Sequence, residues 1–388
     1  MTGDEAVAQA AKVVNPDVCA AYPITPQTII VERFSDFVND GEVDTNFVCV
    51  ESEHSAMSAC VGASATGARV FTATSSQGLF LMYEILFIAA SSRLPIMMSI
   101  TNRAASGPIN IHGELSDQLL IRDTGWISSF SENNQEVYDQ TILAFRIGEH
   151  PDVQLPITVG LDGFILSHAL EGVEVVDRQF VADFLPPRQM KYPLVPESPI
   201  TVGLLCLPDF YYELRYQIEE ANNQALRVIP EVFEDWGQRT GRYYKPIETY
   251  ECEDAEFAFI TMGAFAGNAI AAVDDLREQG EKVGVVKIRV FRPWFAEMFY
   301  EAIKDIPTLG IVERAHSLGG HQHFQMLASD VFSTLYNKRS MKNVYSHVAG
   351  LGGRDLLIPS WKEIYSKCKK WASESKWASE TQWVGLRE

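Results

Sequence analysis

Five apolar runs in the first 162 residues each break off at a cluster of small or polar residues, and that rhythm restricts the fold more than any other feature. The breaks fall at Tyr22-Pro23-Ile24-Thr25-Pro26, Glu51-Ser52-Glu53-His54, Thr74-Ser75-Ser76-Gln77-Gly78, Thr101-Asn102-Arg103 and Leu161-Asp162-Gly163-Phe164. Stretches with helical apolar spacing lie between the runs. The order strand, helix, strand requires a parallel sheet with right-handed crossovers. Ligands of such sheets sit outside the carboxyl ends of the strands. All five breaks then face one crevice, which gathers a carboxylate (Glu53), a guanidinium (Arg103), a hydroxyl (Thr25) and helix N-termini. Such a set is expected of an enzyme site.

At 388 residues the chain exceeds one ordinary core. After about residue 170 prolines and aromatics become frequent, and 171–252 reads as a connecting segment with one helix near 209–223. A second alternating unit opens with a strand over 256–261, followed by strands near 283–288, 309–312 and 344–349. The expected organisation is a doubly wound first domain over 1–170, the connecting segment 171–252, and a smaller α/β domain over 253–388. Residues 104–117 form a loop too long for a plain connection, and long loops in compact domains are usually functional. Asn133 with Glu136 three residues on marks a helix start.

A formal charge of −19 argues against nucleic acid or an anionic membrane surface as partner, since both need a basic face. The longest apolar candidate for a membrane span, 79–100, is interrupted by Glu84, Ser91, Ser92, Arg93 and Pro95. The opening residues lack the basic and apolar regions of a signal peptide, so the expectation is cytoplasmic. Cys19, Cys49, Cys60, Cys206, Cys252 and Cys368 stand singly, without metal-ligand or cluster-ligand spacing, which fits a reducing compartment.

Each motif has a bland reading beside the sharp one. Gly263 and Gly267 follow a strand, but neither G-x-G-x-x-G nor G-x-x-x-x-G-K-[ST] is present, so close helix–strand packing explains them better than nucleotide binding. His112, His168, His316 and His321 have no spacing that implies a metal and read as loop or surface residues. Glu53 either favours a helix N-terminus electrostatically or shares a proton with a cofactor nitrogen. Arg103 either pairs with Asp117 or Asp123, or holds a substrate carboxylate in a bidentate fork.

Taken together, Tyr22-Pro23-Ile24-Thr25-Pro26, Glu51-Ser52-Glu53-His54-Ser55-Ala56, the run from Gly67 through Thr74-Ser75-Ser76-Gln77-Gly78, and Arg122-Asp123-Thr124-Gly125-Trp126 resemble the alpha subunit of 2-oxoacid:ferredoxin oxidoreductases, the pyruvate synthase group. The resemblance continues in Leu161-Asp162-Gly163-Phe164, Phe291-Arg292-Pro293 and Ala349-Gly350-Leu351-Gly352-Gly353, and so covers nearly the whole chain. It implies a pyrimidine-type thiamine diphosphate domain followed by a transketolase C-terminal-like domain. It also implies coenzyme A-linked oxidative decarboxylation of a 2-oxoacid, or the reverse. By position Glu53 matches the carboxylate that hydrogen-bonds the aminopyrimidine nitrogen and drives its imino tautomer. Thr25 and Arg103 match the groups that bind the substrate carboxylate, and Ile111 matches an apolar pocket wall, with Leu115 beside it. Tyr22, Pro23, Ser76 and Gln77 fall on the family's cofactor-binding segments.

Part of the family's equipment is missing. The Gly-Asp-Gly motif that precedes the Asn of a diphosphate-and-magnesium site is absent, because Asp162-Gly163 has no glycine directly before it, and there is no ferredoxin-type cysteine run. The resemblance therefore implies half a thiamine diphosphate site, with no metal on this chain. A beta subunit is expected to hold the diphosphate and magnesium, and ferredoxin-like and gamma subunits the [4Fe-4S] clusters that pass electrons to ferredoxin. The segment 112–120 is bulkier than the Asp-His-Ser-Asp form of pyruvate enzymes, so aryl or branched 2-oxoacids stand behind pyruvate as substrates. Two other readings remain: a redox-free thiamine enzyme, which a purified complex without iron–sulfur subunits would favour, and a scaffold subunit with a decayed site. Keeping Thr25, Glu53 and Arg103 together argues against decay.

Overall fold

Thr2 and Glu5 close a capping box, with Glu5 N donating to Thr2 Oγ1 at 3.2 Å and Thr2 N to Glu5 Oε2 at 2.9 Å, and so start helix α1 (Gly3–Val14). The computed structural model describes residues 1–190, 192–320, 325–376 and 380–387; His321 lies outside them. Strands β1 (Val18–Ala21), β2 (Asn46–Cys49), β3 (Val70–Thr74), β4 (Met97–Asn102), β5 (Ile127–Phe130) and β6 (Ile157–Asp162) pair in parallel in the order β5-β6-β4-β3-β1-β2. They alternate with α2 (Thr28–Asn39), α3 (Glu53–Ala65), α4 (Ser76–Leu81), α5 (Tyr83–Ser91), α6 (Ser116–Leu119) and α7 (Asn134–Gly148).

Every residue of β3, β4 and β6 is buried, as central strands covered on both faces must be. Successive side chains go to opposite faces. Phe71 and Met97 join Ala6, Ala10 and Tyr138 in one core, whereas Val70, Met98 and Ile100 join Met57, Leu79 and Leu86 in another. Asn133 caps α7 by accepting from Glu136 N at 2.9 Å, and Glu136 Oε2 accepts from Glu132 N at 2.9 Å.

The stretch 171–252 does more than connect. It holds α8 (Arg178–Phe184) and α9 (Pro208–Thr240), which runs well past the expected 209–223 and passes through Pro230. Pro230 removes one helical N–H. The apolar stripe Ile218, Ala221, Ala225, Val228, Ile229, Val232, Phe233 and Trp236 is buried in the first core and holds the helix together across it. Strand β7 (Ile247–Tyr250) then joins a second sheet with β8 (Phe257–Thr261) and β9 (Val283–Ile288), running antiparallel to β9.

Straight after β9 the chain changes sheets. Strand β10 (Val290–Arg292) pairs antiparallel with β5, Val290 opposite Ser129, so the 283–292 stretch belongs to both sheets. Helices α10 (Phe265–Arg277), α11 (Ala296–Ile303), α12 (Met326–Asn337) and α13 (Ile358–Ser373) accompany β11 (Thr308–Glu313), β12 (Asn343–Val348) and β13 (Gln382–Trp383). The second sheet has the order β13-β12-β11-β8-β9-β7.

Two buried ionic contacts lock the sheets together. Glu136 Oε1 accepts from Lys287 Nζ at 2.6 Å and from Arg289 Nη2 at 2.7 Å. Burial alone would raise the Glu136 carboxyl, but Arg289 and Lys287 more than reverse this and hold it at about 2. A depressed carboxylate stabilises the fold above the ordinary carboxylate pKa, and the contribution is lost as pH falls toward the depressed value. At the end of β6, Asp162 pairs with Arg314, both 2% exposed or less, and Asp162 Oδ2 also accepts from Ala264 N at 2.8 Å. Gly263 has φ +66, and a Cβ there would stand 2.7 Å from Asp162 Oδ2. The glycine thus serves a close approach between the two halves.

Asp162→Asn should leave the Arg314 guanidinium buried without a counter-charge and destabilise the chain by roughly 3–5 kcal/mol in urea unfolding. The paired Asp162→Leu/Arg314→Met change should lose less. An unchanged midpoint for Asp162→Asn would remove the ion pair from the account of the junction.

Candidate active site

Glu53 is the first residue of α3, whose N-cap Ser52 accepts from Ser55 N at 3.2 Å. Its carboxylate lies where the helix N–H groups favour negative charge. The residue is 7% exposed, and among the described residues its carboxylate has no hydrogen-bond or ion-pair partner. Gly78 packs close against it: a Cβ there would stand 2.5 Å from Glu53 Oε1 and 2.5 Å from Thr74 Oγ1. Thr74 Oγ1 is itself buried without a partner among the described residues. A buried acceptor and an unsatisfied hydroxyl therefore meet at the ends of β3 and α3.

Arg103 follows the last residue of β4 and is 6% exposed. Its Nη1 donates to the Thr25 carbonyl at 2.8 Å and its Nη2 to Gln77 Oε1 at 2.8 Å, while Nε has no partner among the described residues. Neither Asp117 nor Asp123 takes the guanidinium. Asp117 instead accepts from the Arg103 backbone N–H at 3.0 Å. Burial pushes the Asp117 carboxyl up to about 7, against the pull of the N–H groups that donate to it.

The other expected residues fall around these two. Tyr22, Pro23 and Thr25 are exposed at the end of β1, and no described residue takes the Thr25 hydroxyl. Gln27 holds that turn against β3, accepting from Ile24 N at 3.2 Å and donating to the Ala73 carbonyl at 2.7 Å. Ser76 is fully buried with φ +35, and its hydroxyl donates to the Ala104 carbonyl at 2.7 Å, so it gives the crevice a backbone bend rather than a side chain.

The 104–117 loop sits on the second half of the chain. Asn110 Nδ2 donates to Gly352 O at 3.0 Å, Gly352 N to Glu114 Oε2 at 3.0 Å, Gly353 N to Gly113 O at 3.0 Å and Leu115 N to Arg314 O at 2.9 Å. Gly352 and Gly353 both have positive φ, and a Cβ on either would come within 2.4 Å of Asn110 or His112. The Ala349-Gly350-Leu351-Gly352-Gly353 motif is thus the seat of the loop. Ile111 is 40% exposed on it, whereas Leu115 is 1% exposed and belongs to the core, which corrects its assignment to the pocket wall. The His112 ring packs on Phe164, and Phe164 on His168, with centroids 5.0 and 4.8 Å apart. Among the described residues no three His, Cys, Asp or Glu side chains gather as metal ligands, and no helix is long and apolar enough to cross a membrane.

Sequence reasoning missed Thr74 and the polar group around Asp117. Thr74 carries no signal beyond its place at a strand end. Asp117 was read only as a possible ion-pair partner of Arg103, not as an acceptor of backbone N–H groups.

Comparison with known proteins follows the same outline. Residues 9–234 match the family described as "Pyruvate flavodoxin/ferredoxin oxidoreductase, thiamine diP-bdg", and residues 255–360 match "Pyruvate:ferredoxin oxidoreductase core domain II". The chain is 45% identical over 389 residues to pyruvate synthase subunit PorA of Pyrococcus abyssi, covering 100% of this chain and 98% of that one. It is 49% identical over 357 residues to the Thermotoga maritima PorA, covering 92% and 90%, and 45% identical over 372 residues to ketoisovalerate oxidoreductase subunit VorA of Pyrococcus horikoshii, covering 95% and 93%. In fold it is similar to 2-oxoglutarate:ferredoxin oxidoreductase from Magnetococcus marinus, with a TM-score of 0.71 at 19% identity over 95% of this chain and 64% of that one. A split gene transketolase matches with a TM-score of 0.56 at 15% identity over 95% and 97%. The two sheets thus have the thiamine diphosphate-enzyme fold, and the chain belongs to the pyruvate flavodoxin/ferredoxin oxidoreductase family.

Proposed function

We propose that this chain is the alpha subunit of a coenzyme A-linked 2-oxoacid:ferredoxin oxidoreductase of the cytoplasm, with pyruvate as first substrate. The observation that carries the reading is the nearly buried Glu53 carboxylate, without a partner among the described residues, packed close to Gly78 and beside the orphaned Thr74 hydroxyl. That donor set fits the aminopyrimidine end of thiamine diphosphate: Glu53 as acceptor for a ring nitrogen proton, with Tyr22, Pro23 and the Ser76-Gln77 bend lining the approach. When bound, the cofactor supplies the carbanion that adds to a 2-oxo carbon.

The chain's own residues do the rest on this side. Glu53 holds a proton at the ring nitrogen. Arg103 presents its guanidinium to the substrate carboxylate, oriented by the Thr25 carbonyl and Gln77, while the Thr25 hydroxyl assists and Ile111 bounds the pocket. Diphosphate and magnesium are assigned to a beta subunit, and iron–sulfur clusters to ferredoxin-like and gamma subunits. The PorA relatives being named as subunits supports an assembly of several chains. A branched 2-oxoacid is the second substrate reading, favoured by the VorA relative, whose identity to this chain equals that of the Pyrococcus abyssi PorA. We also read 1–170 as the pyrimidine-binding domain and 253–388 as the transketolase C-terminal-like one.

Glu53→Gln is nearly isosteric, so the complex should assemble while turnover falls roughly 10²–10⁴-fold, as on losing a positioned acid–base group. Near-normal turnover would reduce Glu53 to a helix-end carboxylate. A charge-assisted hydrogen bond is worth roughly 1.5–3 kcal/mol, so Arg103→Ala should lower kcat/KM about 10- to 150-fold for every 2-oxoacid the complex accepts. Ile111→Ala should instead re-rank substrates by bulk, at about 1–3 kcal/mol per methylene, in a panel assay of 2-oxoacids. No change in ranking would put the pocket wall elsewhere.

A further inference from the structure

Asp117 is fully buried, and among the described residues its two oxygens accept only N–H groups. Oδ2 takes the backbone N–H of Ser76 at 3.1 Å and of Arg103 at 3.0 Å. Oδ1 takes Asn102 Nδ2 at 2.9 Å and the Gln118 N–H at 2.7 Å. The first two donors come from different strand ends: Ser76 lies two residues beyond β3, and Arg103 directly beyond β4. One oxygen therefore fixes the separation of two backbones. Gln77, the next residue after Ser76, carries the Oε1 that receives Arg103 Nη2 at 2.8 Å. Both ends of the Arg103–Gln77 hydrogen bond are thus set by the same carboxylate.

The backbone at Ser76 is bent into the positive-φ region, φ +35, which a non-glycine residue adopts only where its surroundings hold it. The Asp117 contact to Ser76 N and the Ser76 hydroxyl bond to Ala104 O are two such restraints. On the far side Asp117 is held by its place in α6, whose preceding residue Leu115 donates from its backbone N–H to Arg314 O at 2.9 Å. The carboxylate is thereby referenced to the second sheet. Four donors around two oxygens favour the ionised carboxylate, since a proton or an amide NH₂ there would face N–H groups and push one away.

We propose that Asp117 is a positioning residue for substrate: it sets Arg103 and Gln77 so that the guanidinium meets the 2-oxoacid carboxylate at a fixed place. This rests on the assignment of Arg103 to that carboxylate. Asp117 touches neither substrate nor cofactor in this scheme and acts wholly through Arg103. A carboxylate that merely supported the fold would affect turnover with or without Arg103.

The test is a double-mutant cycle in the assembled holoenzyme, with kcat and KM measured for pyruvate and for 3-methyl-2-oxobutanoate. Asp117→Asn should raise KM about 10- to 100-fold for both acids, as on misplacing an orienting group, while kcat changes far less. Placed on Arg103→Ala, the same change should alter kcat/KM by no more than about twofold, because the group it positions is gone. Equal losses in the two backgrounds, or a fall in kcat at unchanged KM, would overturn the proposal. An Arg103→Ala variant with normal kcat/KM would instead overturn the carboxylate assignment beneath it. If Asp117→Asn does not assemble, Asn102→Ala, which removes one donor from the same carboxylate, enters the cycle and should give a smaller coupling of the same sign; additive behaviour would again contradict the proposal.

Discussion

A nearly buried carboxylate with no partner among the described residues is uncommon in a fold, and the crevice of this protein is arranged around one. Glu53 lies at the start of α3, where helix N–H groups soften the penalty without removing it. The neighbouring residues do not offer the missing partner. Gly78 contributes no side chain, and the Thr74 hydroxyl beside it is also unsatisfied. Unsatisfied groups gathered at strand ends are what a site leaves for a ligand that brings its own donors and acceptors.

The second half of the chain acts as a brace for this crevice. The 283–292 stretch contributes to both sheets, and the Asp162–Arg314 pair fastens the end of β6 to the residue after β11. The Gly352-Gly353 seat then carries the 104–117 loop, and the loop carries Asp117. That loop mixes open and buried residues: Ile111 is exposed, Leu115 is in the core, and Asp117 is buried among N–H groups. The second half is thus joined to the crevice through packed, hydrogen-bonded backbone.

The five strand ends of the first sheet were legible in the sequence because central parallel strands are continuous apolar runs that stop at small residues. The strand Ile127–Phe130 was not, because Ser128 and Ser129 interrupt its apolar pattern; Gln118 Nε2 satisfies them at 2.9 and 3.0 Å inside the core. Strand β10 was hidden within an apparently single run, since only tertiary pairing tells Val290 to leave one sheet for the other. Helix α9 runs on past the expected end at 223 and through Pro230, carried by a long buried stripe. In the candidate site, strand-end position drew attention to Glu53, Arg103 and Thr25, and the family resemblance supplied their expected roles. Their relation was not, since the residue that organises Arg103 binds backbone, and backbone contacts leave no mark on spacing.

The central claim is that this chain supplies the aminopyrimidine half of a cofactor site completed by a partner subunit. The most direct measurement is a structure of the assembled complex with thiamine diphosphate and magnesium bound. The account predicts a Glu53 carboxylate oxygen within hydrogen-bond reach of the aminopyrimidine ring nitrogen, roughly 2.6–3.2 Å, with diphosphate and magnesium held by the partner subunit. A cofactor held entirely within this chain, or a ring nitrogen well beyond that reach from Glu53, would contradict it.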